Sequence, residues 1–300
     1  MFKEIAKEEI YRKLKPSPDF KETAITENIV NELRQNRNAN LLAIPGVNEP
    51  IKGADLEWWI LYHDQKKNET QALHLRIQAK KQTSQTSYGD INQKNKKGYQ
   101  IDLLINEARA DKAIPLYCFY NRDFAGASEK DVENEAWKYA HASDIATTRN
   151  TNGVINDHYK TLDVFTTSMH SLATITENYP IKILHDFMKN NTDEKGIDYR
   201  HNDLPEYILN KLVTNELTTH PFFKQNPWFA NTVSKSKLTR RKRKSDTFYS
   251  SFSGIGALLK FSKELVFGLY SRFKKLFGFE VKNLPVIISV SKEPIFWEYD

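Results

Sequence analysis

The chain holds a single cysteine, Cys118, among 300 residues, so it has no internal disulfide framework and no Cys-based zinc cage. Cys118 lies in the apolar run AIPLYCFY, where a small core side chain is expected rather than a nucleophile. Long apolar runs are missing too. Nothing approaches the roughly 20 residues that span a bilayer, and no stable membrane insertion is expected. The N-terminus, MFKEIAKEEIYRKLK, is charged throughout and has no secretory apolar region; a reducing, cytoplasmic compartment is the expectation. The eight histidines show neither HExxH nor a paired spacing with cysteine, which argues against structural zinc. Gly254-Ile255-Gly256 lacks the length and lysine placement of a phosphate-binding loop. No Ser-His-Asp order can be argued.

What is present is 39% apolar residues with 12% aromatic, enough for a sizeable core in one large α/β domain or two modest ones. The net charge of +6 is unevenly placed: KSKLTRRKRK, residues 235–244, carries seven basic residues and no acid, leaving −1 for the rest. Such a block is a solvated loop or a phosphate-contacting segment. Lys235, Lys237, Arg240, Arg241, Lys242, Arg243 and Lys244 are the candidate nucleic-acid contacts.

A charged N-terminal helix is followed by a break at Pro16–Pro18. A second helix over Thr26–Gln35 has Ile25, Ile29, Val30 and Leu33 at helical spacing and Thr26 as N-cap. Residues 53–80 read as a hairpin. Alternation puts Leu73, Leu75, Ile77 and Ala79 on one face of its second strand, and His74, Arg76, Gln78 and Lys80 on the other. Lys81–Lys97 reads as a loop, Gln100–Arg109 as a helix and Ala113–Tyr120 as a buried strand. Strand, helix and strand in that order imply a crossover that adds a parallel strand. Helices are expected at Asp131–Thr148 and Leu204–Thr214, and a last strand at Pro285–Ser291. Residues Ile255–Phe277 form an amphipathic stripe with lysines opposite, which reads as core packing or as a membrane-surface helix.

The polar row on the second hairpin strand is costly unless its members have partners or a task. An acid on one strand beside an amide and a lysine on the next suits cleavage of a phosphodiester assisted by Mg²⁺ or Mn²⁺, in which one or two carboxylates hold a hard cation. Asp55 is the central carboxylate, Gln78 a carbonyl ligand or water-positioning group, and Lys80 the cationic partner. Glu27, on the preceding helix, is the candidate second carboxylate; it also reads as a first-turn acid favoured by the helix dipole. Asp55 shares a face with Gln78 and Lys80 only if the register pairs it with residue 78 or 80; a slip of one residue sends it to the other face. Glu57 shares the face of Asp55 as a rim or supporting group. Trp58 is expected in the core, Trp59 over the site or against substrate, His74 as a hydrogen-bonded neighbour, and Lys81 exposed.

These residues carry a resemblance. The chain resembles the PD-(D/E)XK restriction-endonuclease-like superfamily. On the segments ITENIVNEL, GADLEWW, LRIQAKK, and GYQIDLLINEA with IPLYCFYN, it looks like a widespread bacterial family of unknown function with that style of fold. The resemblance covers about residues 22–123, with AHASDIATTR the one suggestive stretch beyond. It implies an α/β mixed sheet flanked by helices with Glu27, Asp55, Gln78 and Lys80 as the active set and Gln100 as an auxiliary group near the phosphate. Gln78 replaces the usual acid, which lowers the ligand charge.

The implied organisation is a nuclease-like core over 1–125, a helical extension over 126–234, a basic loop over 235–250, and a helix with a final strand over 251–300. The implied activity is metal-dependent cleavage of DNA in restriction or phage defence. A catalytically silent nucleic-acid-binding module of the same fold, and a membrane-associating effector acting through 255–277, remain as alternatives. The residues identify no homodimer interface and no activating partner protein, and both stay open.

Overall fold

A computed structural model describes residues 1–17, 19–35, 41–48, 54–64, 66–96, 98–123, 128–178, 199–202, 204–212, 220–233 and 283–290. The basic run 235–244 and the amphipathic segment 255–277 lie outside the described residues.

Eight strands form one mixed sheet: β1 (Leu41–Asn48), β2 (Leu56–Asp64), β3 (Glu69–Lys81), β4 (Ile114–Tyr120), β5 (Trp137–His141), β6 (Thr167–Ser168), β7 (Arg200–His201) and β8 (Asn283–Val290). Their order is β1-β8-β2-β3-β4-β5-β6, with β7 beside the early part of β3. The β2–β3 hairpin is antiparallel. Its turn is polar: the Asp64 carboxylate accepts from Lys66 N and Lys67 N, and Asn68 takes the left-handed conformation, which asparagine tolerates better than most residues.

Helix α3 (Gln100–Ala110) links β3 to β4, which run parallel as the crossover requires. Before it, the expected loop contains a short ribbon, Lys94–Asn95 with Gly98–Tyr99.

One face of the sheet is covered by an N-terminal helical rod, α1, made of Phe2–Ile5, a π-helical stretch Ala6–Tyr11, and Arg12–Leu14. Beside it lies α2 (Glu22–Gln35). Phe2 stacks on Trp58 at 5.7 Å and on Trp137 at 5.5 Å. The aliphatic row Leu73, Leu75, Ile77 and Ala79 packs into this core, as does Cys118, whose thiol burial pushes up to about 12.

The opposite face is covered in two parts. Residues Ile208, Leu212, Phe222 and Phe229 close over Trp59 and Leu61. Helix α3 closes over Tyr117 and Phe119. The polar row of β3 is therefore interior: His74, Arg76, Gln78 and Lys80 are each at most 2% exposed.

Several expectations need correction. Residues 131–148 are not one helix: α4 (Glu129–Glu135), capped by Ser128, ends before β5, and α5 (Ala142–Ala146) follows. All five residues of β5 are buried, and its pairing with β4 overrides helical propensity. The sheet thus continues past residue 125, and 126–234 is not a purely helical extension. Helix α2 starts four residues ahead of Thr26, which is buried and bonded to Glu22 O and Tyr120 OH instead of capping.

The last strand joins the sheet as expected, but inside it, between β1 and β2 and one strand in from the edge. It lies antiparallel to β1 and parallel to β2, with Ile288 opposite both Leu42 and Trp59. Trp58 Nε1 donates to Ser289 Oγ at 2.8 Å. A chain ending at residue 280 would leave β1 without its partner and β2 with a raw edge. Such a chain is expected to lose cooperative thermal unfolding and to aggregate, checked by circular dichroism and size-exclusion chromatography.

Candidate active site

The site forms where β2 begins and β3 ends. Leu56 pairs with Ile77, and Asp55 extends that ladder by donating its N–H to Ile77 O at 2.9 Å. Asp55 therefore stands opposite Gln78, and the register condition for a shared face is met. Its Oδ2 accepts the Ala79 N–H at 3.0 Å and the Gln78 Nε2 amide. Gln78 Nε2 also donates to Ala79 O at 3.2 Å. Gln100, the first residue of α3, reaches across so that its Nε2 donates to Gln78 Oε1 at 2.8 Å. Three residues far apart in sequence thus meet through one chain of polar contacts.

Glu27 is not among them. It sits on the exposed side of α2. The helix carboxylate that reaches the site is Glu22. Its Oε2 accepts the Lys81 N–H at 2.9 Å, and its charge is felt with those of Lys80 and Asp55. Five residues along a helix is a rotation of about 140°, so Glu22 and Glu27 cannot share a face. Glu22 lies one turn before Thr26 on the stripe that continues through Ile29 and Leu33. The sequence signal for it is an acid in line with that apolar stripe, one turn ahead of the helix start expected at Thr26.

Burial raises the Glu22 carboxyl from its ordinary 4.5 to about 7; Lys80 opposes the shift and Asp55 adds to it. Lys80 itself is 2% exposed, and its charge acts on the Glu22 carboxyl. Lys81 points the other way, as alternation requires, but is half-buried: its Nζ donates to Phe20 O at 3.0 Å. It ties the start of α2 to β3 instead of lying exposed.

Farther along the row the polar groups are mutually engaged. Glu57 is fully buried, with Arg76 Nη2 and His74 Nε2 each 3.1 Å from its Oε1, and Tyr207 OH donating to its Oε2 at 2.7 Å. Arg76 also bonds Asp111 Oδ2 at 2.7 Å and Glu107 O at 3.2 Å. His74 stacks on Trp59 at 4.1 Å; its pKa is lowered by burial, with Glu57 opposing. Trp59 is 2% exposed and belongs to the core rather than covering the site. Glu57 is committed to this network and not to the site's rim.

Tyr117, opposite Gln78 on β4, is fully buried with no partner for its hydroxyl among the described residues. Burial raises its pKa, with Asp55 adding to the effect.

The donors available to a cation are the Asp55 and Glu22 carboxylates and the Gln78 amide oxygen. Among the described residues no group of three or more His, Cys, Asp or Glu side chains converges. Two carboxylates and one amide oxygen are hard donors that suit Mg²⁺ or Mn²⁺, ions that keep several waters. The Gln78 oxygen faces Gln100, so lending it to a cation would require that amide to turn over.

Glu22 also makes stability depend on pH. The unfolded chain releases this proton near 4.5 and the folded chain near 7. Between those values the unfolded state binds fewer protons, so stability falls as pH rises. Without metal, Glu22→Gln is expected to stabilise the fold at pH 8 by up to about 3 kcal/mol, with the gain vanishing toward pH 4.5. Urea titrations in EDTA at the two pH values check this.

Neither a curated protein nor a solved structure matches the chain. Residues 2–245 do match a family profile, a span that includes Glu22, Asp55, Gln78, Lys80 and Gln100 and stops short of β8. On that match over most of its length, the chain belongs to DUF6615, a family of unknown function.

Proposed function

We propose that this chain is a metal-dependent nuclease that hydrolyses DNA phosphodiester bonds, with a sheet and site of the PD-(D/E)XK restriction-endonuclease-like kind. The observation that supports it best is the meeting of Asp55, Glu22, the Gln78 amide and the buried Lys80 at one end of the β2–β3 hairpin. Bound Mg²⁺ or Mn²⁺ would polarise the scissile phosphate and make an attacking water more acidic.

The protein's own groups account for the rest. The Ala79 N–H orients Asp55 and the Lys81 N–H orients Glu22, so both carboxylates are held before any ligand arrives. The Lys80 ammonium, desolvated and adjacent in charge to Glu22, offsets negative charge on a phosphate oxygen. Because burial keeps Glu22 protonated below about 7, cleavage rises with pH through neutrality. The run 235–244 adds phosphate contacts and a steep salt dependence. Service in restriction or phage defence, homodimerisation to cut both strands, and release by an activating partner belong to the same proposal and rest on resemblance; a cytoplasmic setting rests on the cysteine content and the charged N-terminus.

A second reading is favoured by one contact. Gln78 stands where an acid is usual, and its amide donates to Asp55; a catalytically silent nucleic-acid-binding module is consistent with that. Incubation of plasmid and single-stranded DNA with Mg²⁺, Mn²⁺ or EDTA separates the two. The nuclease is expected to cut only with metal. Asp55→Ala, Lys80→Ala and Glu22→Gln should each lower cleavage about 100-fold or more, and Glu27→Gln should leave it unchanged. Metal-insensitive binding without cutting by the folded wild type would select the module.

A further inference from the structure

We propose that Gln78 and Gln100 act as a two-amide relay that couples cation binding at Asp55 to anion binding beside Gln100. The proposal rests on the metal-site reading above. Gln78 Nε2 donates to Asp55 Oδ2, Gln100 Nε2 donates to Gln78 Oε1 at 2.8 Å, and Gln100 Oε1 is buried with no partner among the described residues.

Each orientation dictates the next. A carboxylate accepts hydrogen bonds only, so Gln78 turns its NH₂ to Asp55 and leaves its oxygen toward Gln100. Gln100 must then offer its own NH₂, and its oxygen is left over. The orphan atom is the end of a chain of choices that begins at the Asp55 carboxylate.

With a cation at Asp55 the first choice reverses, because Gln78 must now present its oxygen there. Its NH₂ then faces Gln100, and Gln100 turns over to accept with the oxygen that previously had no partner. The Gln100 NH₂ moves to the place that oxygen held, where a buried donor without an acceptor is unfavourable. A phosphodiester oxygen is an acceptor of suitable charge, and Gln100 opens an 11-residue helix, whose N-terminal end favours anions. Cation and phosphodiester therefore strengthen each other's binding, reciprocally. Glutamine at 78 suits this device, since an acid there would face the Asp55 carboxylate without a donor to give it.

Two measurements on the full chain test the relay. In the first, Mg²⁺ is titrated while the side-chain amide resonances of Gln78 and Gln100 are followed by NMR, assigned through Gln78→Leu and Gln100→Ala. Both amides are expected to shift with one midpoint; a response of Gln78 alone, or of neither, overturns the relay.

In the second, Mn²⁺ affinity is measured by electron paramagnetic resonance. Gln100→Glu, which can accept from Gln78 but not donate to it, is expected to tighten Mn²⁺ about tenfold. The gain should fall below about threefold in a Gln78→Leu background, where only the added charge acts. An equal gain in both backgrounds overturns the relay while leaving the metal site standing. Mn²⁺ binding that is absent, or insensitive to Asp55→Asn, overturns the metal-site reading itself.

Discussion

The register of β2 against β3 is the constraint on which the site depends. Leu56 opposite Ile77 places Asp55 opposite Gln78, and the Asp55 N–H to Ile77 O bond holds that offset at the mouth of the hairpin. Side chains alternate with a period of two, so a shift of one residue would send Asp55 into the aliphatic core and break the contacts of Asp55 with Gln78 and of Glu57 with His74 and Arg76. The same shift would put Leu73, Leu75 and Ile77 against charged neighbours. Core and site are therefore specified by one pairing.

That pairing brings a liability, because both faces of the sheet are covered and the polar row is interior. Its two halves deal with burial differently. Around His74 and Arg76 every strong charge has an opposite one: Glu57 and Asp111 flank Arg76, and Tyr207 completes Glu57. Removing one member would strand the others, the usual reason that such networks are costly to break. Around Gln78 and Lys80 the match is incomplete. Glu22 is raised toward neutral pH, Lys80 is buried beside it, and the Gln100 oxygen and Tyr117 hydroxyl lack partners among the described residues. Single atoms of His74 and Arg76 are also without hydrogen-bond partners among the described residues, so what distinguishes the Gln78 end is a raised carboxyl beside a buried lysine.

The cost falls on stability. A carboxylate held near Lys80 but largely desolvated is less favourable in the folded protein than in water once ionised, and the rest of the fold offsets this. The rod α1 stacking Phe2 between Trp58 and Trp137, and β8 filling the gap between β1 and β2, supply packing far from the site. Lys81 and Thr26 fix the start of α2, and with it the reach of Glu22.

Much of this was legible in the residues. Alternation in LHLRIQAKK assigned the two faces of β3, the strand-helix-strand order implied a parallel crossover, and Asp55, Gln78, Lys80 and Gln100 were named from pattern and resemblance; the structure brings them together. Glu22 was missed because a helix start is a matter of a few residues, and four residues of error replaced it with Glu27. The segment 137–141 has no strand pattern of its own; pairing with β4 makes it a strand and buries all five residues.

Local sequence determined which side chains alternate and where the hairpin turns, since those follow from backbone geometry over a few residues. Only the tertiary structure decided which helix acid meets Lys80, that the last strand inserts between β1 and β2, and that the polar row is buried. Those outcomes depend on contacts between segments up to 231 residues apart, as between Trp58 and Ser289, and no local pattern encodes them.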